Sequence, residues 1–131
     1  MELSFSNTMM EALGMEVVTL EKDKVVMTMP VNASTHQPLG YLHGGANVAL
    51  AESAASIGAV ANIDLQTHRA FGLEINANHI KSKRDGLVTA TALPVHIGRN
   101  TMVWTIEITD EENVLLCTSR CTIGVVPVNN S

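Results

Sequence analysis

Apolar and polar residues alternate with period two through four stretches of the second half of the chain, residues 71–83, 87–97, 102–109 and 114–126. In the third, Met102, Trp104, Ile106 and Ile108 alternate with Val103, Thr105, Glu107 and Thr109. That pattern predicts an antiparallel strand with one face on a core. The separators Asp85-Gly86, Gly98-Arg99-Asn100 and Asp110-Glu111-Glu112-Asn113 carry hairpin chemistry. Upstream, residues 15–20 and 24–30 read as two further strands joined by the turn Glu21-Lys22-Asp23. Residues 7–13 read as a short helix stopped by Gly14, and residues 31–42 as a loop punctuated by Pro38 and Gly40. The last three residues, Asn129-Asn130-Ser131, are expected to fray.

Between the two groups of strands lies one long helix, expected over residues 45–61. Its sequence, GANVALAESAASIGAVA, is almost entirely small and apolar, with Glu52 as its one charged residue. A helix without a polar face is buried on most sides. The order helix, two strands, buried helix, four strands therefore predicts an α+β fold in which one antiparallel sheet encloses the helix.

A length of 131 residues suits a single domain over residues 1–131. Only 3% of residues are aromatic, so Val, Ile, Leu, Ala and seven Met must build the core. Charged residues are scarce, at 16%, and mean hydropathy is positive, which points to apolar surface hidden by self-association. A net charge of −5 argues against nucleic acid as a partner. No apolar run is long enough to span a membrane, and the acidic N-terminus lacks the basic start of a secretory signal. Cys117 and Cys121 should share one strand face, too far apart for a standard bridge. Reduced thiols of this kind suggest a cytoplasmic setting.

The string His36-Gln37-Pro38-Leu39-Gly40-Tyr41-Leu42-His43-Gly44-Gly45 is followed by Ala51-Glu52-Ser53. Further on come Gly72-Leu73-Glu74-Ile75-Asn76-Ala77-Asn78-His79, Pro94-Val95-His96-Ile97-Gly98 and Trp104. Together these closely resemble the hot-dog-fold acyl-CoA thioesterases, over essentially the whole chain. The nearest resemblance is to those acting on aromatic acyl-CoA such as 1,4-dihydroxy-2-naphthoyl-CoA and 4-hydroxybenzoyl-CoA, in the group that includes the phenylacetic-acid-pathway thioesterases. The resemblance implies five or six antiparallel strands wrapped around one long central helix. It also implies hydrolysis of acyl-CoA to a free acid and coenzyme A, with no cofactor.

The residues support that chemistry on their own terms. Gly44 and Gly45 open a helix whose first N–H groups lack internal partners, which suits a thioester carbonyl gaining negative charge. A plain glycine helix start is the bland alternative. Glu52, a carboxylate in an apolar helix, would attack the thioester or activate water; a structurally bonded buried Glu is its alternative. By resemblance, His43 orients or polarises the thioester, and the amide of Gln37 contacts the carbonyl or the carboxylate. Either could instead serve only its loop. Ser56, four residues after Glu52, faces the same way and could hold the attacking water, or be a small core serine.

Four of the eight Lys and Arg lie between positions 81 and 99, namely Lys81, Lys83, Arg84 and Arg99. With only Asp85 expected to offset them locally, they form a candidate patch for the phosphates of coenzyme A. A lysine-protected strand edge would look the same. His79, Gly98 and Asn100 match the segment that faces the nucleotide and pantetheine in the resembled family. The order Arg99-Asn100 departs from the small-then-basic order common there. His36, His68 and His96 have no catalytic spacing, no cluster has metal-ligand spacing, and no Gly-x-Ser-x-Gly elbow is present.

Gly45 and Glu52 stand seven positions apart, roughly 10 Å along a helix. One thioester cannot touch both, so the site should be shared across a twofold axis in a homodimer or a homotetramer built as a dimer of dimers. Two rival functions remain. An enoyl-CoA hydratase on the same fold would need an Asp and His pair where this helix carries Glu52. A non-catalytic acyl-CoA-binding protein would release no thiol.

Overall fold

The period-two stretches form the expected strands in a computed structural model that describes residues 3–128. In chain order the elements are α1 (Met9–Ala12), β1 (Glu16–Glu21), β2 (Lys24–Pro30), α2 (Gly44–Val60), β3 (His68–His79), β4 (Leu87–Ile97), β5 (Thr101–Thr109) and β6 (Leu115–Pro127). The six strands make one sheet in the order β1-β2-β4-β5-β6-β3, antiparallel throughout. Helix α2 packs against every strand of it. The α+β hot-dog expectation is therefore met, with six strands. Among the described residues, no helix is long and apolar enough to cross a membrane.

The inner faces of the strands meet α2 in one core. Val25, Met27 and Met29 come from β2, and Trp104, Ile106 and Ile108 from β5, around Leu50, Ala51, Ala54 and Ala55 of the helix. Small helix residues let the sheet wrap closely. The tightest case is Gly58, where a Cβ would lie 2.5 Å from the Trp104 ring. A helix-interior glycine is unfavourable by about 1 kcal/mol relative to alanine, and here the indole takes the space a methyl would need. Cys117 and Cys121 are free and buried on the inner face of β6. Burial raises both thiol pKa values, that of Cys121 to about 12 with further help from the charges of Glu52 and Glu74.

Several boundaries differ from the sequence expectation for local reasons. Helix α1 is only four residues long, Met9–Ala12, and starts two residues later than expected because Thr8 caps it, accepting the Glu11 N–H. Strand β3 begins at His68, where pairing with Pro127 extends it backwards, and it stops at His79 instead of residue 83. There the N–H groups of Ile80 and Lys81 both donate to Leu116 O. The chain then leaves the sheet and receives the Leu42 N–H on Lys83 O. That turn draws residues 80–83 alongside the loop that enters α2. The fraying expected of residues 129–131 lies outside the described residues.

Candidate active site

The start of α2 is fixed by the loop before it. Thr35, fully buried, donates its hydroxyl to Pro30 O, and its own carbonyl accepts the His43 N–H at 2.8 Å. Gln37 closes the loop from inside, its Oε1 accepting the N–H groups of Leu39 and Tyr41. His43, in extended conformation, is the N-cap, and its Nδ1 accepts the Gly45 N–H at 2.8 Å.

This cap corrects one detail of the expected donor pair. The Gly45 N–H is already bonded to His43, whereas the Gly44 N–H has no partner among the described residues. The free donor at the positive end of α2 is thus Gly44. Gln37 likewise has its carbonyl engaged in the loop, which leaves the amide NH2 as its free end. The His79 ring lies over Gly44, so that a Cβ there would come 3.0 Å from His79 Nε2. Beside them opens a cavity of about 390 Å³ whose wall includes Gln37, Gly44, Asn47, His79, Lys81 and Lys83.

Glu52 lies two turns further along α2. It and Ser56 are half-buried, as are Val48, Ala49 and Val60, while the rest of the helix beyond its first two residues is buried. Its carboxylate rests against β3 at Gly72, where a Cβ would lie 2.5 Å from Oε2. Leu73 is bulged out of register there, between Gly72 and Glu74. The carboxylate has no hydrogen-bond partner among the described residues. Within one protomer Gly44 and Glu52 stand eight residues apart, about 12 Å along the helix axis.

The cations do not form one patch in a protomer. Lys83 pairs with Glu111 at 2.6 Å. That bond raises the Lys83 pKa and holds the Glu111 carboxyl down to about 2, with added help from the Leu87 N–H. Asp85 is therefore not the only local counter-charge. Arg84 stacks 4.5 Å over the Tyr41 ring and donates to its hydroxyl at 2.7 Å. Lys81 has no ion pair among the described residues and lines the cavity. Gly98, Arg99 and Asn100 sit at the far end of β4, whose eleven residues span roughly 35 Å. Sequence proximity misled here because a strand carries its two ends to opposite sides of the sheet. Of the remaining histidines, His36 ties its loop to Arg84 O, and His68 bonds Thr67.

The structure also brings forward residues the sequence reading did not single out. Gly72 seats the Glu52 carboxylate. Glu111 and Tyr41 occupy two of the cations. Asn47 sits one turn into α2 on the cavity wall; a lone amide among small apolar residues was its only sequence signal.

The six-stranded sheet wrapped around one long helix is that of the hot-dog-fold thioester hydrolases. A family profile described as the thioesterase superfamily matches residues 39–117, and the chain belongs to that family. It is 58% identical to a 1,4-dihydroxy-2-naphthoyl-CoA hydrolase of Listeria monocytogenes, over 88% of this chain and 93% of that one. A mutant thioesterase of Pseudomonas aeruginosa superposes with a TM-score of 0.92 at 39% identity, covering 95% of this chain and 89% of that one. A Staphylococcus aureus protein with a Glu-to-Ala substitution superposes with a TM-score of 0.89 at 44% identity, covering 91% and 98%. It is also solved, described as a thioesterase enzyme, with a Gln-to-Ala substitution. The chain is a thioester hydrolase of this family.

Proposed function

We propose that the protein hydrolyses an aromatic acyl-CoA, of which 1,4-dihydroxy-2-naphthoyl-CoA is the leading candidate, at sites shared between two protomers. The observation that carries this reading is the pair of unsatisfied groups on one helix. The Gly44 N–H and the Glu52 carboxylate lack partners among the described residues, and they are about 12 Å apart in a single chain. A reacting thioester needs a donor on its oxygen and an attacking group at its carbon within about 3 Å of each.

The exposed outer edge of β3 offers the means. Antiparallel pairing of two β3 strands about a twofold axis near Ile75 or Asn76 would bring Gly72 of one protomer opposite His79 of the other. Glu52 rests on Gly72, and His79 lies over Gly44. The carboxylate of one chain would then face the free N–H of its partner. The same pairing would carry the Gly98-Arg99-Asn100 turn of one protomer to the end where Lys81 of the other stands, rejoining the phosphate-facing groups. The family's acyl-CoA substrates and its tendency to oligomerise fit this arrangement, as a homodimer or as a homotetramer of two such dimers.

The chemistry follows from these groups. Glu52 takes a proton from a water that attacks the carbonyl carbon, or attacks it directly to give an acyl anhydride that a water then hydrolyses, releasing the acid and restoring the carboxylate. The Gly44 N–H stabilises the oxyanion, and the coenzyme A thiolate leaves as the carbonyl re-forms. His43 accepts a hydrogen bond at Nδ1, which leaves Nε2 to carry the proton in the neutral ring and donate beside the reacting group. Ser56, one turn past Glu52, could hold the water. In the Staphylococcus aureus variants, the substituted Gln and Glu are spaced as Gln37 and Glu52 are here. Support for the aromatic acyl group comes from the name of the Listeria monocytogenes relative. The free thiols fit a cytoplasmic setting.

The test is thiol release from 1,4-dihydroxy-2-naphthoyl-CoA, benzoyl-CoA and a series of fatty acyl-CoA substrates. Aromatic substrates should give the highest kcat/KM. Preference for long fatty chains would overturn the aromatic assignment, and enoyl-CoA hydration without thiol release would replace it with the hydratase.

A further inference from the structure

Asn47 is 4% exposed, and its Oδ1 is buried without a hydrogen-bond partner among the described residues. It stands three residues after Gly44, and helical side chains tilt back toward the helix start. Asn47 thus lines the same cavity as Gly44, His79, Gln37 and Lys81. Buried polar atoms are rarely left unpaired, and those that are need an explanation. Here the orphan is an acceptor, one turn from the free N–H that the thioester oxygen would use.

We propose that Asn47 is a substrate-binding residue whose Oδ1 accepts the first amide N–H of the pantetheine arm. This deepens the acyl-CoA reading and rests on it. The chemical class follows from the side chain. An uncharged carboxamide neither neutralises phosphate nor gains from an aryl ring, but its Oδ1 pairs with a secondary amide N–H. The spacing follows from the arm. Two methylene groups separate a coenzyme A sulfur from its first amide nitrogen, a reach similar to the ~4.5 Å axial rise between Gly44 and Asn47. Lys81, on the wall of the same cavity, suits the phosphates.

The function of the amide bond is to set the thioester along the helix before attack. Its loss should appear as lost discrimination, not lost fold. Among the described residues, no partner loses a hydrogen bond when Asn47 is shortened, so Asn47→Ala should melt close to the wild type.

The experiment compares two benzoyl thioesters that differ at the amide alone, those of N-acetylcysteamine and n-pentanethiol, with benzoyl-CoA as the reference. Wild-type kcat/KM should favour the N-acetylcysteamine ester by about tenfold, the scale of one net hydrogen bond. Asn47→Ala should abolish that preference while leaving the pentyl ester within about twofold. Asn47→Ser, which keeps a short acceptor, should retain part of it. Where turnover of the short esters is slow, the same pair used as competitors of benzoyl-CoA reads the same difference. A wild type that hydrolyses benzoyl-CoA but does not distinguish the two esters overturns the role of Asn47 and leaves the function standing. So does an equal loss on both esters in Asn47→Ala or Asn47→Ser, or a marked fall in melting temperature with the preference intact. Failure to hydrolyse any of the three substrates would instead count against the aromatic reading of the function.

Discussion

Glu52 reaches its position through two residues that are not themselves reactive. Glycine at position 72 leaves room for the carboxylate against β3, and the bulge at Leu73 turns the strand there. Two predictions follow at this scale. Glu52→Ala should lower kcat by at least about 10²-fold, as for a positioned acid–base group; near-wild-type turnover would remove Glu52 from the mechanism. Gly72→Ala should also lower kcat, because the added Cβ would displace the carboxylate from 2.5 Å away. Its melting temperature should fall less than that of Gly58→Ala, where the obstacle is the buried Trp104 ring and overpacking costs typically 1–3 kcal/mol. A Gly72→Ala enzyme with unchanged kcat would mean that the carboxylate works from another position. Glu52 was legible in the sequence because a lone charge in an apolar helix needs a reason. Its seat at Gly72, twenty positions away on another element, was not, since only folding brings the two together.

At the scale of elements, the loop between β3 and β4 decides which cations are free. Lys83 is held by Glu111 and Arg84 by Tyr41, so Lys81 is the cavity lysine without an ion pair among the described residues. Lys81→Ala should raise KM for acyl-CoA and leave kcat almost unchanged. Lys83→Ala should act chiefly on stability. If the two raise KM equally, the Lys83–Glu111 pair opens to bind substrate. The pair also has a pH signature. The folded Glu111 pKa, near 2, lies below its ordinary 4.5. Its contribution is therefore present above pH 4.5 and lost as pH falls through about 2. The stability gap between wild type and Glu111→Gln, followed by urea unfolding, should narrow over that interval; a constant gap would exclude the ion pair as its source. The strands and the central helix were readable from period and residue size, within one residue at the start of α2. The end of β3 was not, because Leu116 O sets it by accepting two successive N–H groups. Nor was the separation of Arg99 from Lys81, which depends on the direction of a whole strand.

At the scale of the whole molecule, helix α2 is too long for one thioester to reach both the Gly44 N–H and the Glu52 carboxylate of the same chain. The proposed antiparallel pairing would run through the exposed twelve-residue edge strand β3 and would complete two shared sites per dimer. The most direct test mixes two inactive proteins after subunit exchange, one carrying Glu52→Ala and the other Gly44→Leu, which would crowd the free N–H. In a heterodimer one shared site collects both defects and the other neither. Random exchange makes half of the dimers mixed, so activity should return to about a quarter of the wild-type level. If mass measurement confirms heterodimers and no activity returns, both groups act within one chain and the shared site is wrong.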